Sequence, residues 1–176
     1  MFAVIDVETC GNMQQPEKIT EIAICVFDGF EVVETFHTLV NPRRSIDPYV
    51  SRMTGITERM LVGKPIFEDL HEQILKITEG CIFTAHNASF DYPIIRKEFN
   101  YIGIDYNRPR LCTVQAARKV LPGFDKYGLE NLCKKLQITN TAPHRALGDA
   151  MATVEVLKII LQNDYTNQVK KLVKKV

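Results

Sequence analysis

Three features that would narrow the interpretation at once are missing from this chain: an excess of one charge, a paired-cysteine motif and a long apolar run. Lysine and arginine together number 22 and aspartate and glutamate 21, so the formal net charge is +1. This balance excludes a strongly basic coat of the kind that grips a long nucleic-acid duplex through many phosphates. The balance is still compatible with a local groove that binds the end of a short nucleic-acid strand.

The five cysteines contain no C-x-x-C pair. Their odd number and wide spacing argue against a zinc site and against a disulfide framework. The sequence also shows neither the basic and then apolar segments of a signal peptide nor an apolar span of about 18 residues. We therefore expect a cytoplasmic protein that is neither exported by a usual signal nor inserted in a membrane.

The size and composition are those of one compact domain. The chain has 176 residues, of which 45% are hydrophobic and 24% charged, enough to bury a substantial core. We expect residues 1–165 to form this domain and residues 166–176 to form a basic C-terminal tail. The apolar spacing within the tail predicts an amphipathic helix, for which we favour a solvated position over a partner contact.

The first half of the chain predicts three strands. The run before Asp6 is continuously apolar, as in a strand covered on both faces, so we place it centrally in a sheet. Apolar runs over 19–27 and 32–40 flank Asp28-Gly29, a strong signal for an antiparallel hairpin. The glycine- and proline-rich stretch 41–65 predicts loop with one or two short helical turns.

The second half predicts alternating helices and strands. Helical spacing begins at Ile66 and ends before Gly80, and a strand follows over 81–85. Further helices are predicted over 90–101, 113–120, 127–136 and 146–161, with a short strand over 110–113. This order predicts an α/β fold with a mixed sheet, one antiparallel hairpin and flanking α-helices.

Acidic residues cluster where such a sheet binds ligands. Asp6 and Glu8 end the first strand and project to the same side roughly 6.5 to 7 Å apart. Asp91 follows another strand, and Asp149 borders the apolar stripe of the last long helix. Because ligands collect at the carboxyl ends of strands, we expect these acids to converge.

Two His-x-x-x-x-Asp patterns accompany the acids, from His86 to Asp91 and from His144 to Asp149. Five residues on a helix advance by about 500°, which leaves the two side chains some 140° apart. His144 can therefore share a site with Asp149 only from a loop leading into the helix, and Pro143 favours that loop. On spacing alone, His86 is an equal candidate.

Three motifs together resemble those of the DEDD exonuclease superfamily: Asp6-Val-Glu8-Thr9, His86-Asn-Ala-Ser-Phe90-Asp91 and His144-Arg-Ala-Leu-Gly-Asp149-Ala. The His-x4-Asp form of the third motif is similar to the DEDDh branch, which includes the proofreading epsilon subunit of bacterial DNA polymerase III. The resemblance covers roughly residues 1–162. It implies a ribonuclease H-like fold with a mixed five-stranded sheet.

The resemblance also implies a function: a metal-dependent 3′-5′ exonuclease that releases nucleoside 5′-monophosphates from DNA 3′ ends. It implies two Mg²⁺ or Mn²⁺ ions held by Asp6, Glu8, Asp91 and Asp149. It makes His144 the general base and leaves His86 to orient the second motif.

The motif positions also give three candidate substrate-binding residues: Thr9, Asn87 and Phe90. Each has a structural alternative. Thr9 could cap the end of the strand, Asn87 could be a turn or N-cap residue, and Phe90 could belong to the helix core.

The expected partner is the 3′ end of single-stranded nucleic acid, DNA rather than RNA, with a DNA polymerase subunit as a further partner. Three alternatives stay open. The chain could be an exoribonuclease of the oligoribonuclease or ribonuclease T type, a non-catalytic nucleic-acid or polymerase-binding module, or a structural protein stabilised by metal.

Overall fold

The computed structural model describes residues 1–11 and 17–175. Its strands are β1 (Phe2–Thr9), β2 (Ile19–Phe27), β3 (Val32–Leu39), β4 (Ile82–Ala85) and β5 (Arg110–Cys112). Its helices are α1 (Pro48–Thr54), α2 (Glu58–Leu61), α3 (Phe67–Ile77), α4 (Ala88–Tyr101), α5 (Thr113–Val120), α6 (Leu129–Leu136), α7 (Ala146–Asn163) and α8 (Gln168–Leu172). None of the helices in these two ranges is long and apolar enough to cross a membrane.

The five strands form one mixed sheet in the order β3-β2-β1-β4-β5. Strand β1 is central, antiparallel to β2 and parallel to β4, as its apolar sequence predicted. The predicted β2–β3 hairpin is also confirmed. Its turn forms because the Asp28 carboxylate accepts hydrogen bonds from the backbone N–H groups of Phe30 and Glu31, at 2.7 and 2.9 Å, and Gly29 adopts φ +109°.

Helices cover both faces of the sheet. On one face Ala3, Ile5 and Val7 of β1 pack in the cluster formed with α3 and α4. On the other face Val4 packs in the cluster formed with α5, α6 and α7. Because side chains alternate along a strand, Asp6 and Glu8 share the face of Val4 and lie on the α7 side. This alternation places the acidic pair beside the start of α7.

The predicted helix boundaries need small corrections at their N-terminal ends. Helix α4 begins at Ala88, two residues earlier than expected, and α6 begins at Leu129, two residues later. The late start of α6 follows from Gly128, whose extended backbone makes it the N-cap residue. The earlier start of α4 places Asp91 in the first turn of that helix.

The C-terminal segment differs from the solvated helix that we expected. Val169 is only 4% exposed and packs in the core cluster that Val4 forms with α5, α6 and α7. The lysines of the segment remain exposed. Lys174 and Arg110 exchange two backbone hydrogen bonds of 2.9 Å, which covers part of the outer edge of β5. Burial of Val169 and pairing of a sheet edge explain the difference. The boundary at residue 165 stays a prediction, and Val176 lies outside the described residues.

Candidate active site

Three acidic side chains meet at the carboxyl end of the central strand. Asp6 and Glu8 come from β1, and Asp149 comes from the first turn of α7. One carboxylate oxygen from each lies within 4.8 Å of the others. Strand alternation and the packing of α7 on β1 thus bring together residues separated by about 140 positions in the chain.

Asp91 approaches the same strand end from the other helix layer. It lies in the first turn of α4 and is 4% exposed. Its Oδ1 accepts a hydrogen bond from the backbone N–H of Val7, at 3.3 Å. Because Val7 lies between Asp6 and Glu8 along β1, this hydrogen bond holds Asp91 next to the three-carboxylate cluster.

The pKa values of all four acids are raised. Burial is the largest cause for Asp6, whose pKa lies well above its usual range, and the charges of Asp91 and Asp149 raise it further. Burial also raises the pKa of Glu8 to about 7, with the Asp149 charge adding to it, and the pKa of Asp91 to about 7. Burial raises the pKa of Asp149 as well.

Such a cluster is suited to cations. Ionising four neighbouring carboxyl groups in a buried site is unfavourable unless positive charge is supplied. Carboxylate oxygens are the ligands that hard divalent cations such as Mg²⁺ prefer. The donor set therefore fits a site for divalent metal, formed by Asp6, Glu8 and Asp149 with Asp91 beside them.

His144 lies in the loop that leads into α7, as the spacing argument required. The loop ends at Arg145, the N-cap residue of α7, and His144 has a left-handed φ of +59°. Its backbone N–H donates to Oδ2 of Asp149, at 3.1 Å, while the residue itself is exposed. The loop is thus tied to the cluster, and the imidazole is accessible to solvent.

His86 is bound on both sides of its ring. Its Nδ1 lies 2.9 Å from the hydroxyl of Thr113, and its Nε2 lies 2.8 Å from the carbonyl oxygen of Tyr127. Burial lowers its pKa, although the contact with the Tyr127 carbonyl acts in the opposite direction. Because both ring nitrogens are engaged, His86 connects the loop before α4 to two other segments.

The three predicted substrate-binding residues lie at the ends of the same elements. Phe90 is 44% exposed, so the alternative of a helix-core residue is wrong for it. Asn87 occupies the N-cap position of α4 with φ +79°, and its side chain accepts a hydrogen bond from the Ser89 hydroxyl, at 2.7 Å. Thr9 is the last residue of β1 and is 7% exposed.

Two polar residues near the cluster were missed from the sequence. The Asn140 side chain donates to Oδ1 of Asp149, at 2.6 Å. Glu21 is fully buried on β2, directly opposite Glu8 in the β1–β2 pairing. The available signal for Glu21 was a single acid inside the apolar run 19–27. Asn140 gave no comparable signal, because asparagine is ordinary in a loop.

A family model described as an exonuclease model, RNase_T, matches residues 3–157. The chain belongs to the RNase_T exonuclease family. Among its relatives, the DNA polymerase III subunit epsilon of Aquifex aeolicus (strain VF5) is 35% identical over 162 residues, covering 92% of this chain and 80% of the relative. The 3′-5′ exonuclease DinG of Bacillus subtilis (strain 168) is 35% identical over 170 residues.

Solved structures agree with this family assignment. Exonuclease X, in complex with 5′ overhanging duplex DNA, superposes with a TM-score of 0.76 at 32% identity and covers 98% of each chain. The predicted exonuclease family, with an epsilon subunit among its relatives, and the predicted ribonuclease H-like fold are therefore confirmed. The chain spans only 18% of DinG, in which this family domain is one part of a longer protein.

Proposed function

We propose that this protein is a metal-dependent 3′-5′ exonuclease that releases nucleoside 5′-monophosphates from DNA 3′ ends. One observation carries the proposal: carboxylate oxygens of Asp6, Glu8 and Asp149 lie within 4.8 Å of one another, and Asp91 is hydrogen-bonded to the same strand end. Family membership and the 32% sequence identity to exonuclease X support the proposal.

Asp6, Glu8, Asp91 and Asp149 would hold two divalent ions, Mg²⁺ or Mn²⁺. Divalent ions held there would supply the positive charge that activates a water for attack and stabilises the departing 3′ oxygen. The raised pKa values of the four acids describe the metal-free protein. Positive charge favours ionisation of all four carboxyl groups and so couples metal binding to proton release.

His144 would act as the general base. A neutral imidazole can accept the proton of the attacking water at physiological pH. The hydrogen bond from the His144 backbone to Asp149 keeps the loop at the cluster, while exposure of the residue leaves the ring accessible to substrate and water. His86 is less suited to this role, because both of its ring nitrogens are engaged away from the cluster.

The proposed substrate is the 3′ end of a single strand. Phe90 offers an exposed ring one position before Asp91, where it can stack on a base. Thr9 lies at the end of β1 and Asn87 at the start of α4, so both are available to contact the same nucleotide. DNA is favoured over RNA because exonuclease X was solved with DNA and the epsilon relative is a DNA polymerase subunit. The epsilon relative also suggests a polymerase subunit as a partner.

Digestion of end-labelled oligonucleotides tests this proposal. A DNA strand labelled at its 5′ end should shorten stepwise in Mg²⁺ and release 5′-mononucleotides, and a matched RNA strand should be shortened more slowly. Chelator, Asp6→Ala and Asp149→Ala should abolish shortening with folding retained. Asp105→Ala is the matched control, because Asp105 is an exposed acid paired with Arg96 away from the cluster.

Each failure has a definite meaning. If Asp6→Ala keeps the parental rate, the metal-site assignment is wrong. Faster digestion of RNA would favour the exoribonuclease alternative, and binding of the 3′ end without cleavage would favour the non-catalytic module. If the variants lose folding together with activity, a structural role of the metal is the better explanation.

A further inference from the structure

A buried ion pair joins β2 to the start of α7. Glu21 is fully buried, and its position opposite Glu8 places it on the face of the sheet that α7 covers. Arg145, the N-cap residue of α7, is one third exposed and reaches Glu21 from outside. The pair spans 124 positions of sequence, and Glu21 lies beside Glu8 of the acidic cluster.

The Glu21 carboxylate accepts three hydrogen bonds from this one segment. It accepts two hydrogen bonds from the Arg145 guanidinium, from Nε at 3.0 Å and from Nη2 at 2.7 Å. It accepts a third from the backbone N–H of Ala146, at 3.0 Å, and lies 2.8 Å from Nε2 of His37. A bidentate guanidinium together with a backbone donor fixes both the position and the orientation of the chain at residues 145 and 146.

These two residues stand between His144 and Asp149. Within the same loop, Asn140 and the His144 backbone each donate to one oxygen of Asp149. The loop also runs so close to α7 that a Cβ added at Gly148 would lie 2.2 Å from the Ala142 carbonyl oxygen. A displacement of residues 145 and 146 would therefore also move His144 and Asp149, because these contacts hold the loop tightly against α7.

We propose that Glu21 and Arg145 are positioning residues that set the start of α7, and with it His144 and Asp149, against the end of β1. They act through these two residues and are not part of the three-carboxylate group of Asp6, Glu8 and Asp149. The inference deepens the proposed exonuclease function and rests on it. A buried ion pair is weak evidence for added stability, because desolvation offsets the attraction, so a role in specifying geometry explains it better.

Glu21→Gln tests the proposal with little change of shape. Glutamine keeps one acceptor oxygen but removes the charge and turns an N–H group towards the Arg145 and Ala146 donors. We expect kcat on a 3′-ended DNA oligonucleotide to fall by about 10- to 100-fold with a smaller change in KM. We expect the Kd for Mn²⁺, measured by calorimetry without substrate, to rise over a similar range. Arg145→Lys, which keeps the charge but loses the bidentate fork, should give an intermediate loss.

Glu98→Gln is the matched control. Like Glu21, Glu98 is buried, pairs with a basic side chain (Lys18 Nζ at 2.5 Å) and accepts a backbone hydrogen bond, here from Ile19 of β2 at 3.2 Å. It lies on α4, in the helix layer on the other face of the sheet. Its loss should therefore lower the melting temperature without changing kcat or the Mn²⁺ affinity.

Parental kcat and parental Mn²⁺ affinity in Glu21→Gln would overturn the inference. Equal losses in Glu21→Gln and Glu98→Gln, measured where both are folded, would also overturn it by showing a general effect of stability. If Glu21→Gln does not fold, the same comparison between Arg145→Lys and Glu98→Gln decides. If the parental protein digests no oligonucleotide, the proposed function fails, and Mn²⁺ binding alone decides the positioning role.

Discussion

Replacement of Asp91 by asparagine should stabilise the metal-free protein at alkaline pH. Burial raises the pKa of the Asp91 carboxyl from 3.8 to about 7. The folded state therefore binds this proton more tightly than the unfolded state, and the resulting stability is lost as pH rises from about 4 through 7. The rise of the pKa from 3.8 to about 7 corresponds to roughly 4 kcal/mol of stability lost by pH 8.

The assay is urea unfolding of the parental protein and Asp91→Asn in the presence of chelator. Asparagine is uncharged at every pH used and keeps the oxygen that accepts the hydrogen bond from Val7. At about pH 4 the two free energies of unfolding should differ little, because Asp91 is still protonated in the folded state and only partly ionised in the unfolded state. At pH 8 the variant should be more stable by about 4 kcal/mol.

Excess Mg²⁺ should reverse this order. Metal binds only the folded site, so it should stabilise the parental protein more than the variant, which has lost a ligand. Asp105→Asn, at an exposed acid, should show no such pH dependence relative to the parental protein. If the difference between Asp91→Asn and the parental protein is the same at pH 4 and pH 8, burial does not raise the Asp91 pKa and the electrostatic reasoning fails.

Two further predictions concern the reaction. His144→Ala should lower kcat by about 10²- to 10⁴-fold and leave the Mn²⁺ affinity almost unchanged, because it removes a base and no metal ligand. Single-turnover digestion measures the loss of rate and calorimetry measures the Mn²⁺ affinity. A large loss of Mn²⁺ affinity would contradict this role. Phe90→Ala should raise KM for a single-stranded substrate by about tenfold with kcat retained, because it removes a stacking surface. Steady-state digestion checks this, and an unchanged KM would exclude Phe90 from substrate binding.

Much of the fold could be predicted because local patterns agree with the final packing. The continuous apolar run before Asp6 indicated a central strand, and Asp28-Gly29 indicated the hairpin. The loop position of His144 followed from helix geometry and is confirmed by the start of α7 at Ala146. These features depend on residues close in sequence, where spacing and turn chemistry decide the structure.

The remaining features depend on contacts between distant segments. Nothing in the run 19–27 shows that Glu21 pairs with Arg145, because the contact depends on how α7 packs across β1 and β2. The burial of Val169 was missed for the same reason, since an amphipathic spacing does not show which surface will cover the apolar side. Asn140 is a third case, because its bond to Asp149 exists only once the loop folds back on α7.

Anomalous diffraction from crystals soaked in Mn²⁺ tests the proposed metal site most directly. Two peaks should appear roughly 3.5 to 4 Å apart, bounded by the carboxylates of Asp6, Glu8, Asp91 and Asp149. The absence of any peak among these four side chains, or carboxylates that turn away from one another in the soaked crystals, would contradict the proposed two-metal site.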